Sequence, residues 1–161
     1  MNKILIIEDE ETIRNELKTL LENFGYKVLM LEKFTNAKED IKSMTLDLIL
    51  LDINLPNING EMLLKEIRKE SNIPVIMVTS RVCEVDEVLS MSYGADDYIT
   101  KPYNPTILLL RIQNIFKRME NNRDDLFYDD IVVNPKKGIL EKNGKVLELT
   151  KNENDNIYIF I

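Results

Sequence analysis

The sequence predicts an α/β protein built on a doubly wound parallel sheet. Three observations carry this expectation. Short apolar runs alternate with segments whose apolar residues recur at helical spacing, and the runs lack the two-residue alternation of half-exposed strands. Acids, hydroxyls and a lysine stand where the runs stop. Strands buried on both faces need helices on both sides of the sheet, and right-handed crossovers leave few ways to connect them.

The first run, KILIIED (3–9), ends in acids, and Ile13, Leu17, Leu20, Leu21 and Phe24 follow at helical spacing until Gly25 stops the helix. YKVLML (26–31) leads into TNAKEDIKSM, and LDLILLD (46–52) leads into EMLLKEIRKE. IPVIMVTS (73–80) leads into EVDEVLSMSY, and ADDYITK (95–101) into PTILLLRIQNIFKRM. The third run is the most telling: Leu48-Ile49-Leu50-Leu51 is apolar throughout and passes directly into Asp52. Pro56, Asn57, Asn59 and Gly60 then favour turns, so a loop is expected there. After Met119 the stretch ENNRDD has no apolar periodicity and reads as a linker or as the frayed end of the last helix, with a boundary near residue 123. LFYDDIVVN, the turn PKKG, ILEK, the turn NG and KVLEL then read as a small antiparallel meander.

Composition removes many function classes. The chain has 161 residues, 44% hydrophobic and 30% charged, and no apolar run of membrane-spanning length. Its first residues, MNKILIIEDEE, are too short and too acidic for a signal peptide, so a cytoplasmic location and no membrane partner are expected. The single cysteine, Cys83, excludes an internal disulfide. The absence of histidine excludes a Ser-His-Asp triad and a His-based zinc site. A net charge of -7 argues against nucleic acid as a default partner.

Doubly wound sheets bind ligands at the carboxyl ends of their strands. Glu8 and Asp9 stand there on the first strand, Asp52 on the third, Thr79 and Ser80 on the fourth, and Lys101 on the fifth. Singly, each has a plain structural explanation as a turn residue, a helix cap or a surface charge. Together, carboxylates crowded at one edge repel one another unless a cation relieves them, and oxygen ligands with room for water suit Mg²⁺. Asp52 could then act as a nucleophile toward phosphorus, with Lys101 as a second cation on the phosphoryl group. Competing classes lack their signatures. No G-x-x-x-x-G-K-[ST] loop and no G-x-G-x-x-G turn is present, and a dehalogenase-type phosphatase would carry an acid where Asn54 stands. A pure interaction module, with the acids only structural, is the remaining rival.

Glu8-Asp9, the Asp52 of LILLDINLPNING, the Thr79-Ser80 of VIMVTS and the Lys101-Pro102 of GADDYITKPY resemble the receiver domain of bacterial two-component response regulators. The resemblance spans residues 3 to about 119 and implies a flavodoxin-like (βα)5 fold with strand order 2-1-3-4-5. It implies that Asp52 accepts a phosphoryl group from a sensor histidine kinase, and that Glu8, Asp9, Asp52 and the backbone carbonyl of Asn54 hold Mg²⁺. Thr79 and Lys101 would contact the phosphoryl group, Tyr98 would turn inward as Thr79 moves, and the Lys101-Pro102 peptide would be cis. Such a protein is a phosphoacceptor rather than a classical enzyme, with self-catalysed transfer and autodephosphorylation.

GADDYITKPYNP, LLLRIQNIFKR and the tail are most similar to the OmpR/PhoB-type subgroup, which carries a winged-helix effector domain and forms a homodimer on phosphorylation. Its dimer face is the surface of the fourth helix, fifth strand and fifth helix. Asp97 and Arg111 match positions that this subgroup pairs between protomers, whereas Glu87 and Ile107 stand where it usually has a base and an acid. The expected organisation is a receiver over 1–119, a linker over 120–126 and an incomplete OmpR-type winged-helix domain, its N-terminal β platform only, over 127–161. DNA is the partner of full-length members. For this chain, residues 124–161 hold eight acids and five lysines and stop at IYIFI where the effector helices should begin, so DNA binding by that route is not expected. A stand-alone receiver acting by protein contact is the alternative output.

Overall fold

The computed structural model describes residues 1–80, 88, 90–123, 126–128, 131–134 and 137–150, with the side chains of 121–123 and 126–128 excepted. They fall into two compact units, Met1–Ile112 and Gln113–Ile161. The first unit runs β1 (Lys3–Ile7), α1 (Glu11–Asn23), β2 (Lys27–Met30), α2 (Ala37–Ser43), β3 (Leu48–Leu51), β4 (Asn54–Leu55), β5 (Ile58–Asn59), α3 (Gly60–Arg68), β6 (Val75–Thr79) and β7 (Asp97–Thr100). Helix α4 (Pro105–Arg123) begins in this unit. The helix expected over 84–93 lies largely outside the described residues; Val88 and Ser90 to Ser92 are helical. Glu87 and Cys83 also lie outside them.

The five sheet strands are parallel in the order β2-β1-β3-β6-β7, which is 2-1-3-4-5 when the short β4-β5 ribbon is left out of the count. This is the flavodoxin-like order. The uninterrupted apolar runs are explained by burial on both faces. Leu5, Ile7, Ile49, Leu51, Val75 and Met77 pack with Ala37 and Ile41 of α2 and with Leu63, Leu64 and Ile67 of α3. The alternate residues Ile4, Ile6, Leu48, Leu50, Ile76 and Val78 are buried as well. Each such side chain contributes about 1.5–3 kcal/mol by leaving water, which fixes the strand register and therefore the height of every strand end.

One local reading changes, and one of two alternatives is chosen. The loop expected after Asp52 contains a ribbon, with Asn54 opposite Asn59 and Leu55 opposite Ile58. Asn57 turns it in the left-handed region at φ 64°, which asparagine tolerates better than most residues. The polar stretch after Met119 continues α4 to Arg123, because a solvated helical turn needs no apolar residue once the helix is propagating.

The second unit holds an antiparallel sheet, β11-β10-β9-β8, of β8 (Leu126–Tyr128), β9 (Ile131–Asn134), β10 (Ile139–Lys142) and β11 (Lys145–Glu148). LFYDDIVVN, read as one run, is two paired strands with Tyr128 opposite Ile131. Asn143 and Gly144, at φ 50° and 74°, make the two-residue hairpin that their sequence announced. The IYIFI end lies outside the described residues.

Candidate functional site

Register brings the chemistry together. Ile7 lies opposite Leu51 and Thr79 opposite Thr100, so Glu8, Asp52, Thr79 and Lys101 emerge at one edge of the sheet. Backbone bonds continue the ladder past the strands, from the Asp52 N–H to the Ile7 carbonyl at 2.9 Å and from the Lys101 N–H to the Thr79 carbonyl at 2.8 Å. Glu8, Asp52 and Thr79 are only 2%, 4% and 0% exposed. Lys101 Nζ bridges the two buried acids, donating to Glu8 Oε2 at 2.5 Å and to Asp52 Oδ2 at 2.6 Å. The other Asp52 oxygen, Oδ1, accepts the Asn54 N–H at 2.9 Å, and Glu8 Oε1 accepts the Glu10 N–H at 3.2 Å. Asp9 is exposed, yet one carboxylate oxygen from each of Glu8, Asp9 and Asp52 lies within 4.8 Å of the others. An all-oxygen donor set with one open side fits a small hard cation such as Mg²⁺.

The remaining predicted residues lie on the same unit. Tyr98 is buried, 5% exposed, within the α2-α3 side of the core. The Lys101-Pro102 peptide is cis. Asp97 and Arg111 pair within one chain, Arg111 Nη1 donating to Asp97 Oδ1 at 2.5 Å, and the same Asp97 oxygen accepts the Tyr98 N–H at 2.8 Å. Ile107 is exposed.

Three supports were not anticipated. Gly60 lies against the phosphoacceptor candidate itself: a Cβ there would stand 2.0 Å from the Asp52 carbonyl oxygen. The ribbon makes that approach, and Asn59 Oδ1 then caps α3 by accepting the N–H groups of Glu61 at 2.8 Å and Met62 at 3.2 Å. The sequence showed both only as turn formers. Arg14 Nη1 donates to the backbone carbonyls of Glu8 at 2.8 Å and Asp9 at 3.2 Å. Tyr103 packs nearby; burial, with the charges of Glu8 and Glu16, pushes its phenol up to about 12.

The electrostatics describe a pocket short of positive charge. Burial raises the Glu8 carboxyl above its ordinary value, and the Asp52 charge adds to this against the opposing pull of Lys101. Burial alone would lower Lys101, but its hydrogen bonds to Asp52 and Glu8 and their charges outweigh that and hold it above 10.5. Lys101 is thus the counter-ion of the metal-free pocket. Lys101→Met leaves two buried carboxylates unpaired and is expected to cost about 3 kcal/mol in urea denaturation without divalent cation, with part of the loss regained when Mg²⁺ is added. Equal stability of the two proteins in EDTA would show that the bridge does not hold the acids together.

Fold and site together define a receiver: a parallel α/β domain that presents a buried aspartate, flanking acids and a lysine at its carboxyl edge. The chain belongs to the response regulator receiver domain family, which it matches over residues 4–113. It is 38% identical to the transcriptional regulatory protein CpxR of Escherichia coli (strain K12) over 168 residues, covering 99% of this chain and 72% of that protein. It is 35% identical to the sensory transduction protein RegX3 of Mycolicibacterium smegmatis, covering 96% of this chain and 71% of that protein. Among solved structures, a two-component response regulator from Clostridium difficile superposes with a TM-score of 0.71 at 32% identity, over 74% of this chain and 98% of that one. The BeF3-activated receiver domain of Klebsiella pneumoniae RstA gives 0.69 at 31% identity, over 72% and 99%. Receivers of this family are signalling proteins of two-component systems, partner with sensor histidine kinases and use Mg²⁺ at an acidic cluster. No helix among the described residues is long and apolar enough to cross a membrane.

Proposed function

We propose that this chain is a phosphoacceptor switch in which Asp52 takes a phosphoryl group from a sensor histidine kinase in the cytoplasm. The observation that carries the reading is the Asp52 carboxylate, buried at the sheet edge with one oxygen on Lys101 and the other on the Asn54 N–H. A buried, oriented carboxylate is a better nucleophile than a solvated one, since it sheds no water shell at the moment of attack. A carboxylate oxygen of Asp52 forms the new P–O bond as the P–N bond of the donor phosphohistidine breaks, and the imidazole departs with a proton. Glu8, Asp9, Asp52 and the Asn54 carbonyl would hold Mg²⁺, which when bound neutralises the phosphoryl oxygens. Lys101 already touches Asp52 and would exchange its bond to the carboxylate for one to a phosphoryl oxygen. Hydrolysis of the acyl phosphate by water, in the same pocket, resets the switch.

Phosphorylation biases two arrangements of the domain rather than creating a new one. Thr79 ends β6 beside the pocket and would donate its hydroxyl to the phosphoryl group, and Tyr98 on the neighbouring β7, already buried, would keep that inward position in the switched state. Residues 1–119 constitute the receiver, 120–126 the connection and 127–161 the opening β platform of an OmpR-type effector domain. Asp97 and Arg111 mark the face on which two phosphorylated copies would meet, their pairing exchanged between protomers. Transcriptional regulation is the output carried over from the named relatives. The local balance of -3 over residues 124–161 argues against nucleic-acid contact by this segment itself.

The test is intact-mass measurement of the purified chain with acetyl phosphate, in Mg²⁺ and in EDTA. One phosphoryl group should add in Mg²⁺ and none in EDTA. Absence of any adduct in Mg²⁺ would exclude the phosphoacceptor reading.

A further inference from the structure

Arg14 belongs to the fourth position of α1, and its backbone N–H makes an early helical bond to the Glu10 carbonyl at 2.9 Å. Helical side chains lean toward the N-terminus, so this one runs back over the loop that joins β1 to α1. One nitrogen, Nη1, then donates to the carbonyls of both acidic residues, Glu8 at 2.8 Å and Asp9 at 3.2 Å. These two residues face opposite surroundings: Glu8 is buried and Asp9 exposed, yet their carboxylate oxygens converge within 4.8 Å of each other and of Asp52. Convergence of adjacent side chains, one buried and one exposed, requires the Glu8-Asp9 backbone to hold a single conformation. Among the described residues, Glu8 Oε1 accepts the Glu10 N–H at 3.2 Å, which restrains one acid and leaves the Asp9 peptide to Arg14.

We propose that Arg14 is a positioning residue for the cation pocket: it clamps the Glu8 and Asp9 peptides so that both carboxylates point at one ion. This rests on the reading of Glu8, Asp9 and Asp52 as metal ligands. Partners that orient ligands are worth roughly 10- to 100-fold in metal affinity. The opposite sign follows if Arg14 acts only as a charge, because removing a cation beside an acidic pocket strengthens binding of another. The direction of the effect therefore separates positioning from charge.

The experiment is calorimetric titration of Mg²⁺ into the wild-type chain, Arg14→Ala and Arg14→Gln, with hydrogen exchange of residues 8–11 in the metal-free proteins. Positioning predicts that Arg14→Ala binds Mg²⁺ about 10-fold more weakly and that its loop exchanges faster. Arg14→Gln, which keeps an N–H donor without the charge, recovers part of both. Variants that bind as tightly as wild type, or more tightly, with unchanged loop exchange overturn the proposal. If Arg14→Ala fails to fold by circular dichroism, the same comparison is made with Arg14→Gln. A wild-type chain that binds no Mg²⁺ overturns instead the ligand assignment beneath it, a result visible before any variant is compared.

Discussion

Asp52→Asn is expected to take up no phosphoryl group from acetyl phosphate in Mg²⁺, while folding as the wild type does. The amide is nearly isosteric, so the bond from the Asn54 N–H to the side-chain oxygen, 2.9 Å in the wild type, can persist. What is lost is the nucleophile, since an amide oxygen does not form a stable adduct with phosphorus under these conditions. Stability should move the other way. Lys101 bridges two carboxylates, both nearly inaccessible to solvent, and removing one of their charges leaves Lys101 and Glu8 as a balanced pair. Like charges held together without water are costly, so the metal-free variant should be at least as stable as wild type in urea, and Mg²⁺ should stabilise it less. A site whose removal stabilises the fold is one kept for chemistry. Equal labelling of the variant and wild type by intact mass would place the phosphoacceptor elsewhere.

Gly60→Ala is expected to cost about 3 kcal/mol, near the upper end of ordinary overpacking, because the new methyl cannot be accommodated by moving a side chain. Its nearest neighbours are all backbone: the Asp52 carbonyl oxygen at 2.0 Å, Ile53 Cα at 2.8 Å and the Asp52 carbonyl carbon at 2.9 Å. Relief requires the β4-β5 ribbon to lift away from Asp52, breaking the bond of 2.9 Å from the Gly60 N–H to the Ile53 carbonyl. The variant should therefore show a lower urea midpoint and, where folded, slower labelling, since the Asp52 carbonyl and side chain belong to the displaced segment. An unchanged midpoint would mean that the ribbon does not press on the phosphoacceptor.

The sheet was legible because its physics is strong and local. Runs such as Leu48 to Leu51 admit burial on both faces and little else, and the helical spacing of Leu17 and Leu21 was equally plain. The acids and the lysine were legible as a set because each directly ends or follows such a run. What escaped depends on contacts between segments distant in space or on single side chains reaching backwards. Nothing in the composition of PNING distinguishes a loose turn from a ribbon seated on Asp52; only the space left by the missing Cβ of Gly60 does. In the sequence nothing sets Arg14 apart from the other polar residues of α1. Its lean toward the preceding turn was a usable signal, since a long cationic side chain four positions into a helix can reach the loop before it. The stretch after Met119 stayed open between a linker and a helical end because the two share the same polar composition, and α4 runs through it to Arg123.

The central claim is that the covalent chemistry occurs on Asp52, and borohydride reduction after phosphorylation tests it at the atom concerned. An aspartyl phosphate is an acyl phosphate, which borohydride reduces to the alcohol, converting the acceptor to homoserine. The chain is incubated with acetyl phosphate and Mg²⁺, quenched with borohydride, digested and mapped by mass spectrometry. Homoserine at position 52, absent when Mg²⁺ is replaced by EDTA, is the predicted result. Homoserine at Asp9 or another acid, or at no position in a sample whose intact mass had gained a phosphoryl group, would contradict it.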